Sequence, residues 1–457
     1  MTCVGARPRP SCGPTVAESP RIALVVAGSR GDAQPFVALA LALADFGAQP
    51  VLMSHGEHRG LAERHQVAFV ELPGDPRELL ATRTGLELLA TRDPLRALRG
   101  LRKLADGLVE DVLAALETAL REVDLVVFST LAVAAYHVAE VLGVPAVWGV
   151  LQPVVASATY PSLLISPGRD LGRWGNVASH RLADRLAWIL FAPALTDYRV
   201  KRGLPKAGPG EVRGSIVTLG GWSSLLAPAP PDWPATASVT GAWMLPPALE
   251  PPLDRRIVDF LHAADPPVYI GLGSATVPDP DGVTELLLAS ACDAGVRVIL
   301  SSGWAGLGSR PVGAVQGGGE VKVVDDRVLV VDGDIGHQQL FRNCAAVVHH
   351  AGAGTTHTAL AAGTVGVPLP FWADQPFWAA RTSALGVSTR PVPRSQWSRP
   401  RIANAIAQAV GEPWRSRRAA ALGEALAAES GAHAAARRII EIHRDRGRKP
   451  SPIPGGR

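Results

Sequence analysis

Short apolar runs alternate with longer amphipathic stretches over the first third of the chain. Arg21–Gly28 is apolar and β-branched, ends in the turn Gly-Ser-Arg-Gly-Asp, and is followed from Pro35 to Phe46 by a helical pattern. Further strands are predicted at Ala48–Ser54, Val67–Leu72, Asp124–Ser129 and Val144–Val150, with a helix that ends at Leu142. Continuous apolar strands separated by helices are typical of a parallel sheet covered on both faces.

The same alternation restarts after the Pro-rich stretch Leu245–Pro252, which indicates an interdomain linker. The predicted strands are Pro267–Gly271, Val296–Ser301, Val328–Val331, Ala345–His349 and Val367–Phe371, and the predicted helices are Thr284–Ala294, Gly354–Ala362, 400–428 and 431–445. The fold class is therefore α/β, with two Rossmann-like doubly wound domains that face each other across a cleft. Ligands bind beyond the carboxyl ends of the strands in such sheets.

Some segments depart from this alternation. Residues 75–120 are helical in pattern, residues 152–235 are rich in Pro, Ser, Trp and Gly, and Gly306–Gly319 is typical of a loose loop. A long irregular segment in a compact domain is usually functional or mobile, so residues 152–235 are predicted to form a binding pocket and its lid. We expect a disordered lead over 1–20, an N-terminal domain over 21–243, the linker over 244–253, a C-terminal domain over 254–430, and a helix and basic tail over 431–457.

Composition supports two globular cores, since 47% of the 457 residues are hydrophobic and 19% are charged. The longest apolar stretch, Leu125–Tyr136, is too short to cross a bilayer, and the first 20 residues lack the apolar core of a signal peptide. The four cysteines, at positions 3, 12, 292 and 344, form no CxxC pair. We therefore expect reduced thiols in a cytoplasmic protein.

The net charge of +4 is mild, and we expect no nucleic-acid partner. The clearest basic cluster is Arg444–Arg448, near the end of the chain. We interpret it as a solvated tail, with weak contact to an anionic membrane surface as the alternative.

The most specific local pattern is the strand-to-helix turn Val347–Thr356, which reads VVHHAGAGTT. Small residues allow a ligand to approach the backbone, and the new helix offers unpaired N–H groups and a positive dipole end to an anion. His350 and Thr355 add side-chain donors. The alternatives are an ordinary turn in which Thr355 or Thr356 caps the helix, and a metal site from His349, His350 and Cys344. Adjacent histidines on a strand point to opposite faces, which disfavours the metal site.

A second polar turn follows the next strand in the run Pro370–Trp378, which reads PFWADQPFW. Asp374 and Gln375 offer acceptors and donors suited to sugar hydroxyls. The alternative is that Asp374 caps the helix that opens near Pro376. Turns after neighbouring strands of one sheet lie side by side, so this turn and the His350 turn are expected to form one site.

These motifs resemble those of a known family. The segment Leu340–Trp378, with HHAGAGTT and ADQPFWA, resembles the donor-binding signature of nucleotide-sugar glycosyltransferases, closest to bacterial natural-product (glycopeptide-type) enzymes and to sterol glucosyltransferases. Gly28–Pro35, which reads GSRGDAQP, and Ala227–Trp243, with PDWP and TGAW, resemble the same branches of the UDP-glycosyltransferase superfamily. The similarity covers most of residues 21–430.

The resemblance implies the GT-B architecture, with the acceptor bound to the N-terminal domain and the donor to the C-terminal one. Asp32 would then be the general base that takes the acceptor proton; the alternative is that it caps the helix that follows. The implied donor-binding residues are Ser29, Gly31, Ser274, Ile335, His350, Gly352, Ala353, Gly354, Thr355, Asp374 and Gln375. Ser29, Gly31 and Ser274 would approach the phosphates, the run from His350 to Thr355 would cradle them, and Asp374 and Gln375 would hold the sugar.

The implied reaction is an inverting transfer of a hexose from a UDP- or dTDP-sugar to a hydroxyl of a hydrophobic acceptor, such as a polyketide, macrolide, terpenoid or sterol-like lipid. The nucleotide sugar is a cosubstrate, and neither a cofactor nor an essential metal is expected. Amides at a helix start, with His350, would stabilise the leaving diphosphate. Domain closure would exclude water and limit hydrolysis of the donor.

The chain departs from the family pattern at three places. Ala351 replaces the first of two glycines that often follow the paired histidines, with little expected harm because alanine is small. Plant relatives have a base-stacking tryptophan near Asp334 that is absent here, which leaves uridine and thymidine donors open; Trp304 is a candidate aromatic. Asp332-Gly333-Asp334 looks like the metal-binding DxD of another architecture, but its position in this fold favours an ordinary acidic loop.

Other functions remain open at this stage. A nucleotide-sugar epimerase or a phosphorylase can use the same kind of fold, since fold alone does not specify function. A protein that binds a nucleotide sugar and activates a true glycosyltransferase without catalysing transfer is the alternative from another class. The retained Asp32 and Asp374 turns favour transfer.

Overall fold

The computed structural model describes residues 19–74, 82, 100, 108–206, 208, 216–309 and 321–447. Within these residues the chain forms two sheets, each covered by helices on both faces, which confirms the predicted pair of Rossmann-like α/β domains. Several predicted features lie outside the described residues: Cys3, Cys12, most of the N-terminal lead, part of the 75–120 region, the end of the Gly-rich loop and the tail beyond residue 447.

The N-terminal sheet has seven parallel strands in the order β3-β2-β1-β4-β5-β6-β7. They are β1 (Arg21–Val25), β2 (Gln49–Ser54), β3 (Ala68–Glu71), β4 (Leu125–Phe128), β5 (Ala146–Val150), β6 (Val217–Gly220) and β7 (Ala237–Val239). The central strands β1 and β4 are almost entirely buried, as expected for a parallel sheet between helical layers. The helices that the structure describes in this part are α1 (Arg30–Asp45), α2 (Arg59–Arg64), α3 (Leu108–Ala119), α4 (Ala134–Leu142) and α5 (Gly172–Lys201).

The C-terminal sheet has six strands in the order β10-β11-β9-β8-β12-β13. They are β8 (Val268–Gly271), β9 (Val298–Ser301), β10 (Val321–Val323), β11 (Val328–Val331), β12 (Ala346–His349) and β13 (Gly366–Pro368). The edge strand β10, which the sequence pattern did not indicate, pairs antiparallel with β11, while the other pairs are parallel. A strand of three residues carries too few alternating positions to be recognised from a pattern.

Eight helices follow one another in the described part of the second half. They are α6 (Arg255–His262), α7 (Pro280–Asp293), α8 (His337–Arg342), α9 (Ala353–Ala361), α10 (Gln375–Ala384), α11 (Arg399–Gly411), α12 (Pro413–Ala427) and α13 (Gly431–Gly447). The single helix expected over 400–428 is therefore wrong: it divides into α11 and α12 at Glu412. Pro413 causes the break, because proline lacks an N–H and its ring collides with the carbonyl one turn earlier.

The prediction that residues 152–235 are irregular is also wrong in part. Helix α5 occupies 30 of these residues, and the short strand β6 lies beyond it. Gly172 at its start, Gly175 in its first turn and Pro193 in its interior obscure the helical pattern. Residues 151–171 are irregular, as expected.

The last helix returns to the first domain. Ala435 and Ile439 of α13 are fully buried in the core that surrounds α1. At the point of return Gly431 lies so close to Gly241 that a Cβ on Gly431 would be 2.3 Å from the Gly241 carbonyl carbon. Only glycine allows this approach of two backbones.

Each sheet has one point where the strand order reverses, between β1 and β4 in the first sheet and between β8 and β12 in the second. Ligand sites of doubly wound sheets lie at this point. The Asp32 turn follows β1, and the Ser274 and His350 turns follow β8 and β12. The topology thus brings the sequence motifs to the two places where such sheets bind ligands.

None of the described helices combines the length and the apolar character needed to span a bilayer. The two described cysteines are free thiols: Cys292 is exposed, while Cys344 is buried. Burial raises the pKa of the Cys344 thiol to about 12, which makes it an unreactive core residue.

Candidate active site

Asp32 is held by the turn that joins β1 to α1. Helix α1 begins at Arg30, several residues before the predicted start, so Asp32 lies in its first turn and is not the N-cap. The N-cap is Ser29, whose backbone N–H and hydroxyl donate to Asp32 Oδ2 over 2.8 and 3.1 Å. Gly28 adopts a φ of +124°, and a Cβ there would lie 2.3 Å from Asp32 Oδ2. The turn therefore requires glycine and fixes one oxygen of the carboxylate.

The environment of Asp32 favours proton acceptance. Burial raises the pKa of its carboxyl group, and the hydrogen bonds from Ser29 offset only part of that shift. Both hydrogen bonds go to Oδ2, which leaves Oδ1 without a protein donor among the described residues. A carboxylate with a raised pKa and one open oxygen at a cleft can act as a general base.

The predicted diphosphate cradle lies at the start of α9. Gly352 is the N-cap, and the first amide to bond within the helix is that of Thr356, which donates to the Gly352 carbonyl over 3.0 Å. The amides of Ala353, Gly354 and Thr355 precede that bond and lie at the positive end of the helix. These residues line the cleft, as does Ser274 after β8. The arrangement is suited to a phosphate or diphosphate group.

His350 joins the two loops of this cradle. A Cβ on Gly273 would lie 2.6 Å from His350 Cε1, and one on Gly352 would lie 2.4 Å from its Nε2, so the ring fits only between two glycines. Burial lowers the pKa of His350 to about 4, which keeps the ring neutral near pH 7. Its buried Nδ1 has no hydrogen-bond partner among the described residues. A neutral ring with an unsatisfied nitrogen can donate to an oxygen of a ligand.

His349 is directed away from this site. Its Nδ1 accepts the Ala351 amide over 3.1 Å, and its Nε2 lies near Gly366 of β13. Among the residues described, no group of three or more His, Cys, Asp and Glu side chains is arranged to hold a metal ion. The alternation of the two histidines follows the strand geometry expected from the sequence.

Ala351 adopts a left-handed backbone conformation with φ +65°. This conformation favours glycine, because it costs a non-glycine residue about 1–2 kcal/mol. Ala373, just before Asp374, has φ +57°. Backbone strain is therefore present in both turns of the donor side.

Asp374 and Gln375 lie at the start of α10. Asp374 is the N-cap residue of α10, as the alternative interpretation expected, but its side chain makes no capping bond. The Trp378 indole instead donates to Asp374 Oδ2 over 2.9 Å. Burial raises the pKa of Asp374 to about 6, and the nearby charge of Asp32 adds to the shift. Gln375 Oε1 accepts the Phe371 amide over 2.8 Å. That bond leaves the amide nitrogen of Gln375 as the group available to a ligand.

Two arginines that the sequence interpretation left without a role face the loop after β11. Arg30 forms an ion pair with Asp334 over 2.6 Å, and Arg64 of α2 contacts the other oxygen of the same carboxylate. The second acid of the Asp332-Gly333-Asp334 motif is thus neutralised by two cations. Ile335, the next residue, is buried. Arg30 was recognisable as part of the GSRGD motif, but no sequence signal marks Arg64.

His357 of α9 connects the two domains and was also missed. Its Nε2 accepts the Ser223 amide over 3.1 Å, and its Nδ1 lies 2.7 Å from the Ala353 carbonyl, so the proton is on Nδ1. Burial lowers the pKa of His357 to about 4, which keeps this tautomer at neutral pH. The Ser223 hydroxyl in turn donates to Glu429 over 2.6 Å. The start of the cradle helix is therefore fixed to the N-terminal domain.

The two domains enclose one cleft of about 880 Å³. Its N-terminal wall is mainly apolar, and the side chains that form it include Leu131, Trp148, Val154, Leu163, Leu164, Trp188 and Met244. The loop before α5 reaches across the cleft, where Tyr160 packs edge-on against Phe377 at 5.3 Å. Trp304, the candidate base-stacking residue, also lines the cleft. All the predicted catalytic and donor residues except Ile335 line this same cleft.

Two family models match separate parts of the chain, and the similar proteins named below are all glycosyltransferases. The glycosyltransferase family 28 N-terminal domain matches residues 22–161, and the erythromycin biosynthesis protein CIII-like C-terminal domain matches residues 315–442. An O-mycaminosyltylonolide 6-deoxyallosyltransferase of Streptomyces fradiae is 34% identical, over 90% of this chain and 94% of that protein. A sterol 3-beta-glucosyltransferase of Arabidopsis thaliana is 32% identical, over 84% of this chain and 62% of that protein. One of Neurospora crassa is 31% identical, but the match spans only 27% of its length.

Solved structures share the fold at low identity. The glycosyltransferase of kitacinnamycin superposes with a TM-score of 0.66 at 18% identity, over 93% of this chain and 99% of that one. The calicheamicin glycosyltransferase CalG4 gives 0.65 at 16% identity, over 95% and 100%. The glycosyltransferase VinC, in complex with dTDP, gives 0.61 at 20% identity, over 93% and 100%. These similarities show the GT-B architecture.

Proposed function

The chain belongs to the glycosyltransferase family of the macrolide and sterol glycosyltransferases, and on that premise we propose that it transfers a hexose from a UDP- or dTDP-sugar to a hydroxyl of a hydrophobic small molecule. We further propose that the transfer inverts the anomeric carbon and uses no bound metal. The observation that carries the proposal is the arrangement of Asp32 and the α9 N-terminus in one cleft, each on a different domain.

The proposed step is a single displacement. The acceptor oxygen forms a bond to the anomeric carbon while the bond from that carbon to the diphosphate oxygen breaks, and the electron pair leaves with the nucleoside diphosphate. The acceptor proton passes to Asp32 Oδ1. A base on one wall and a leaving group on the other place attack and departure on opposite faces of the sugar, which inverts the anomer. A positioned base contributes about 10²–10⁴-fold in rate.

Several neutral donors contribute to stabilising the leaving diphosphate in this proposal. The amides of Ala353 to Thr355, the hydroxyl of Ser274 and the His350 ring converge on the cleft. Donors fixed in place before the reaction stabilise the developing charge without reorganisation. Asp374 and the Gln375 amide nitrogen would hold the sugar hydroxyls, and Ile335 would contact the nucleoside.

The acceptor is proposed to be a large apolar alcohol or phenol, such as a macrolide or a sterol-like molecule. The apolar N-terminal wall supports this, since a hydrophobic ligand is bound mainly by apolar surface with a few polar contacts. The names of the Streptomyces fradiae and Arabidopsis thaliana relatives point to the same two classes. A dTDP-bound structural neighbour favours a dTDP-sugar donor, whereas the glucosyltransferase relatives keep glucose among the candidate sugars.

We propose that the enzyme acts in the cytoplasm, where nucleotide sugars are available, and that any contact of its basic C-terminal tail with an anionic membrane surface is weak. A nucleic-acid partner is not part of the proposed function.

The test is donor turnover followed by mass spectrometry. The purified chain is incubated with EDTA, UDP-glucose or dTDP-glucose, and a panel of macrolides, sterols and phenols. A product heavier by one hexose supports transfer, and the coupling constant of its anomeric proton reports inversion. Activity that appears only after a divalent metal is added contradicts the metal-independent mechanism. Binding of nucleotide sugar without any transfer would favour the activator alternative.

A further inference from the structure

The cleft contains little permanent positive charge. Of the described residues that line it, Arg30 is the only arginine or lysine. Burial lowers the pKa of His337, His350 and His357 to about 4, so these lining histidines are neutral near pH 7. A nucleoside diphosphate brings at least two negative charges, and helix dipoles and neutral donors compensate only part of them. Arg30 is therefore the one arginine or lysine among the described lining residues with which a diphosphate in this cleft can pair.

Arg30 lies at the edge of the N-terminal sheet where doubly wound sheets bind their ligands. It is the first residue of α1, between Ser29 and Gly31, at the carboxyl end of the central strand β1. Its neighbour Asp32 does not compete for it, because both hydrogen bonds to the Asp32 carboxylate come from Ser29. The Arg30 Nε donates to Gln34 over 3.1 Å, which anchors the middle of the side chain and leaves the end of the guanidinium to reach across the cleft.

That end forms an ion pair with Asp334 of the opposite domain, with 2.6 Å between Arg30 Nη2 and Asp334 Oδ1. Burial alone would raise the pKa of Asp334, but the charges and hydrogen bonds of Arg30 and Arg64 outweigh it and lower the pKa. Arg64 contacts the second oxygen of the same carboxylate. Asp334 would therefore stay neutralised by Arg64 if Arg30 moved to another anion, which makes the exchange inexpensive.

We infer that Arg30 is the cation that binds the donor diphosphate, and that Asp334, its ion-pair partner in this structure, competes with the diphosphate for it. The inference rests on the proposed function, since it needs a nucleoside diphosphate in the cleft. A guanidinium suits the exchange, because it pairs with either a carboxylate or a phosphate through two parallel N–H donors. Arg30 is thus a binding residue for the leaving group, and Asp334 is a competing anion that acts through it.

The test measures binding of UDP and dTDP, and of uridine and thymidine, by titration calorimetry. Arg30→Gln is expected to weaken diphosphate binding about 10- to 100-fold, the range for a charged hydrogen bond, and to change nucleoside binding less than about twofold. Arg30→Lys, which keeps the charge but not the two parallel donors, should recover only part of the affinity. Asp334→Asn should strengthen diphosphate binding about 3- to 10-fold at low salt, because the competing carboxylate charge is gone. Arg59→Gln, which removes a surface arginine that pairs with Glu71, is the control.

The outcomes separate the two proposals. If the parent protein binds the diphosphates and Arg30→Gln binds them equally well, the role of Arg30 is wrong and the proposed function stands. Equal losses of nucleoside and diphosphate binding would also overturn it, because they indicate a structural defect. Weaker diphosphate binding by Asp334→Asn would exclude competition. If the parent protein binds neither diphosphate, the proposed function itself fails and the inference falls with it.

Discussion

The carboxyl group of Asp32, on the N-terminal domain, lies close enough to that of Asp374, on the C-terminal domain, for its negative charge to raise the pKa of Asp374. Two carboxylates on opposite walls of one cleft thus have different environments. Ser29 holds Asp32 through two hydrogen bonds, whereas Asp374 is held by the Trp378 indole and by the backbone of Asp374 and Ala353. Such a difference is the physical basis for giving the two acids different roles.

Replacement of Asp32 by asparagine is expected to lower kcat about 10²- to 10⁴-fold, the contribution of a positioned base, and to leave the Kd for UDP or dTDP within about threefold. Asparagine has nearly the same shape, so the Ser29 hydrogen bonds can persist while the proton acceptor is lost. Asp45→Asn, an exposed acid at the other end of α1, is the matched control and should retain parent activity. A parent-like kcat for Asp32→Asn would show that another group accepts the proton.

Asp374→Asn is expected to stabilise the fold while it lowers transfer. The pKa of Asp374 is raised to about 6 from an ordinary value of 3.8, so the folded state favours the protonated form, and stability is lost as pH rises through this window. Asparagine keeps an oxygen for the Trp378 indole without the charge. We expect a gain in free energy of unfolding of about 1–2 kcal/mol at pH 7.5, below the full value of the pKa shift because the cleft admits water.

That gain should shrink as pH falls through 6 toward the unfolded value of 3.8, because the carboxyl group of the folded parent becomes protonated over this range. Urea unfolding of both proteins at pH 7.5 and pH 4.5 measures the difference. A gain of the same size at both pH values would mean that charge is not its cause. An increase in the KM for the donor with a smaller change in kcat would support a role of Asp374 in sugar binding.

Local patterns were sufficient to locate the two strand-to-helix turns that carry His350 and Asp32. Each turn consists of consecutive residues whose roles follow from small side chains, a helix start and an adjacent acid or histidine. The ion pair between Arg64 and Asp334 joins residues 270 positions apart and depends on how the two domains face each other. No property of either residue's neighbours in the sequence encodes that contact.

The error over helix α5 has a different cause. Its residues include Gly172, Gly175 and Pro193, which disfavour a helix when propensities are summed locally. Packing against α3 and α4 overrides these preferences, since Leu195 of the helix is buried in the hydrophobic core. Tertiary contacts of this kind are not visible to a periodicity argument.

Gly28→Ala is expected to damage catalysis beyond its effect on stability. The residue has φ +124°, and an added Cβ would lie 2.3 Å from Asp32 Oδ2, so the carboxylate must move. Gly47→Ala is the matched control, because its φ is +81° but nothing lies within 4 Å of an added Cβ. Both changes should cost about 1–2 kcal/mol of stability from the left-handed backbone. Only Gly28→Ala should lower kcat, by at least about tenfold as for a misplaced catalytic group. Equal kcat values for the two variants would mean that the Gly28 turn does not set the position of the Asp32 carboxylate.

Acidification is expected to unfold the protein through its buried histidines. The pKa values of His137, His337, His350 and His357 are lowered to about 4 and that of His349 to about 3, in each case chiefly by burial. These values lie below the unfolded value of 6.5, so the unfolded chain binds more protons, and stability is lost as pH falls from about 6.5 toward 4. Each histidine should contribute about 1–3 kcal/mol to that loss. The raised pKa values of Asp32, Glu250 and Asp374 act in the opposite direction, but these three acids are fewer than the five histidines.

His137→Gln tests, at a position outside the cleft, whether protonation of buried histidines causes the acid unfolding. Arg199 donates to His137 Nδ1 over 3.0 Å, and the glutamine carbonyl can accept the same hydrogen bond. The loss of unfolding free energy between pH 7.5 and pH 5, measured with urea, should be smaller in this variant than in the parent by about 1–2 kcal/mol. The exposed His433 provides the control, and His433→Gln should leave the loss unchanged. If His137→Gln loses as much stability on acidification as the parent, protonation of buried histidines is not what unfolds the protein, and ionic pairs such as Arg199 with Glu140 become the better explanation.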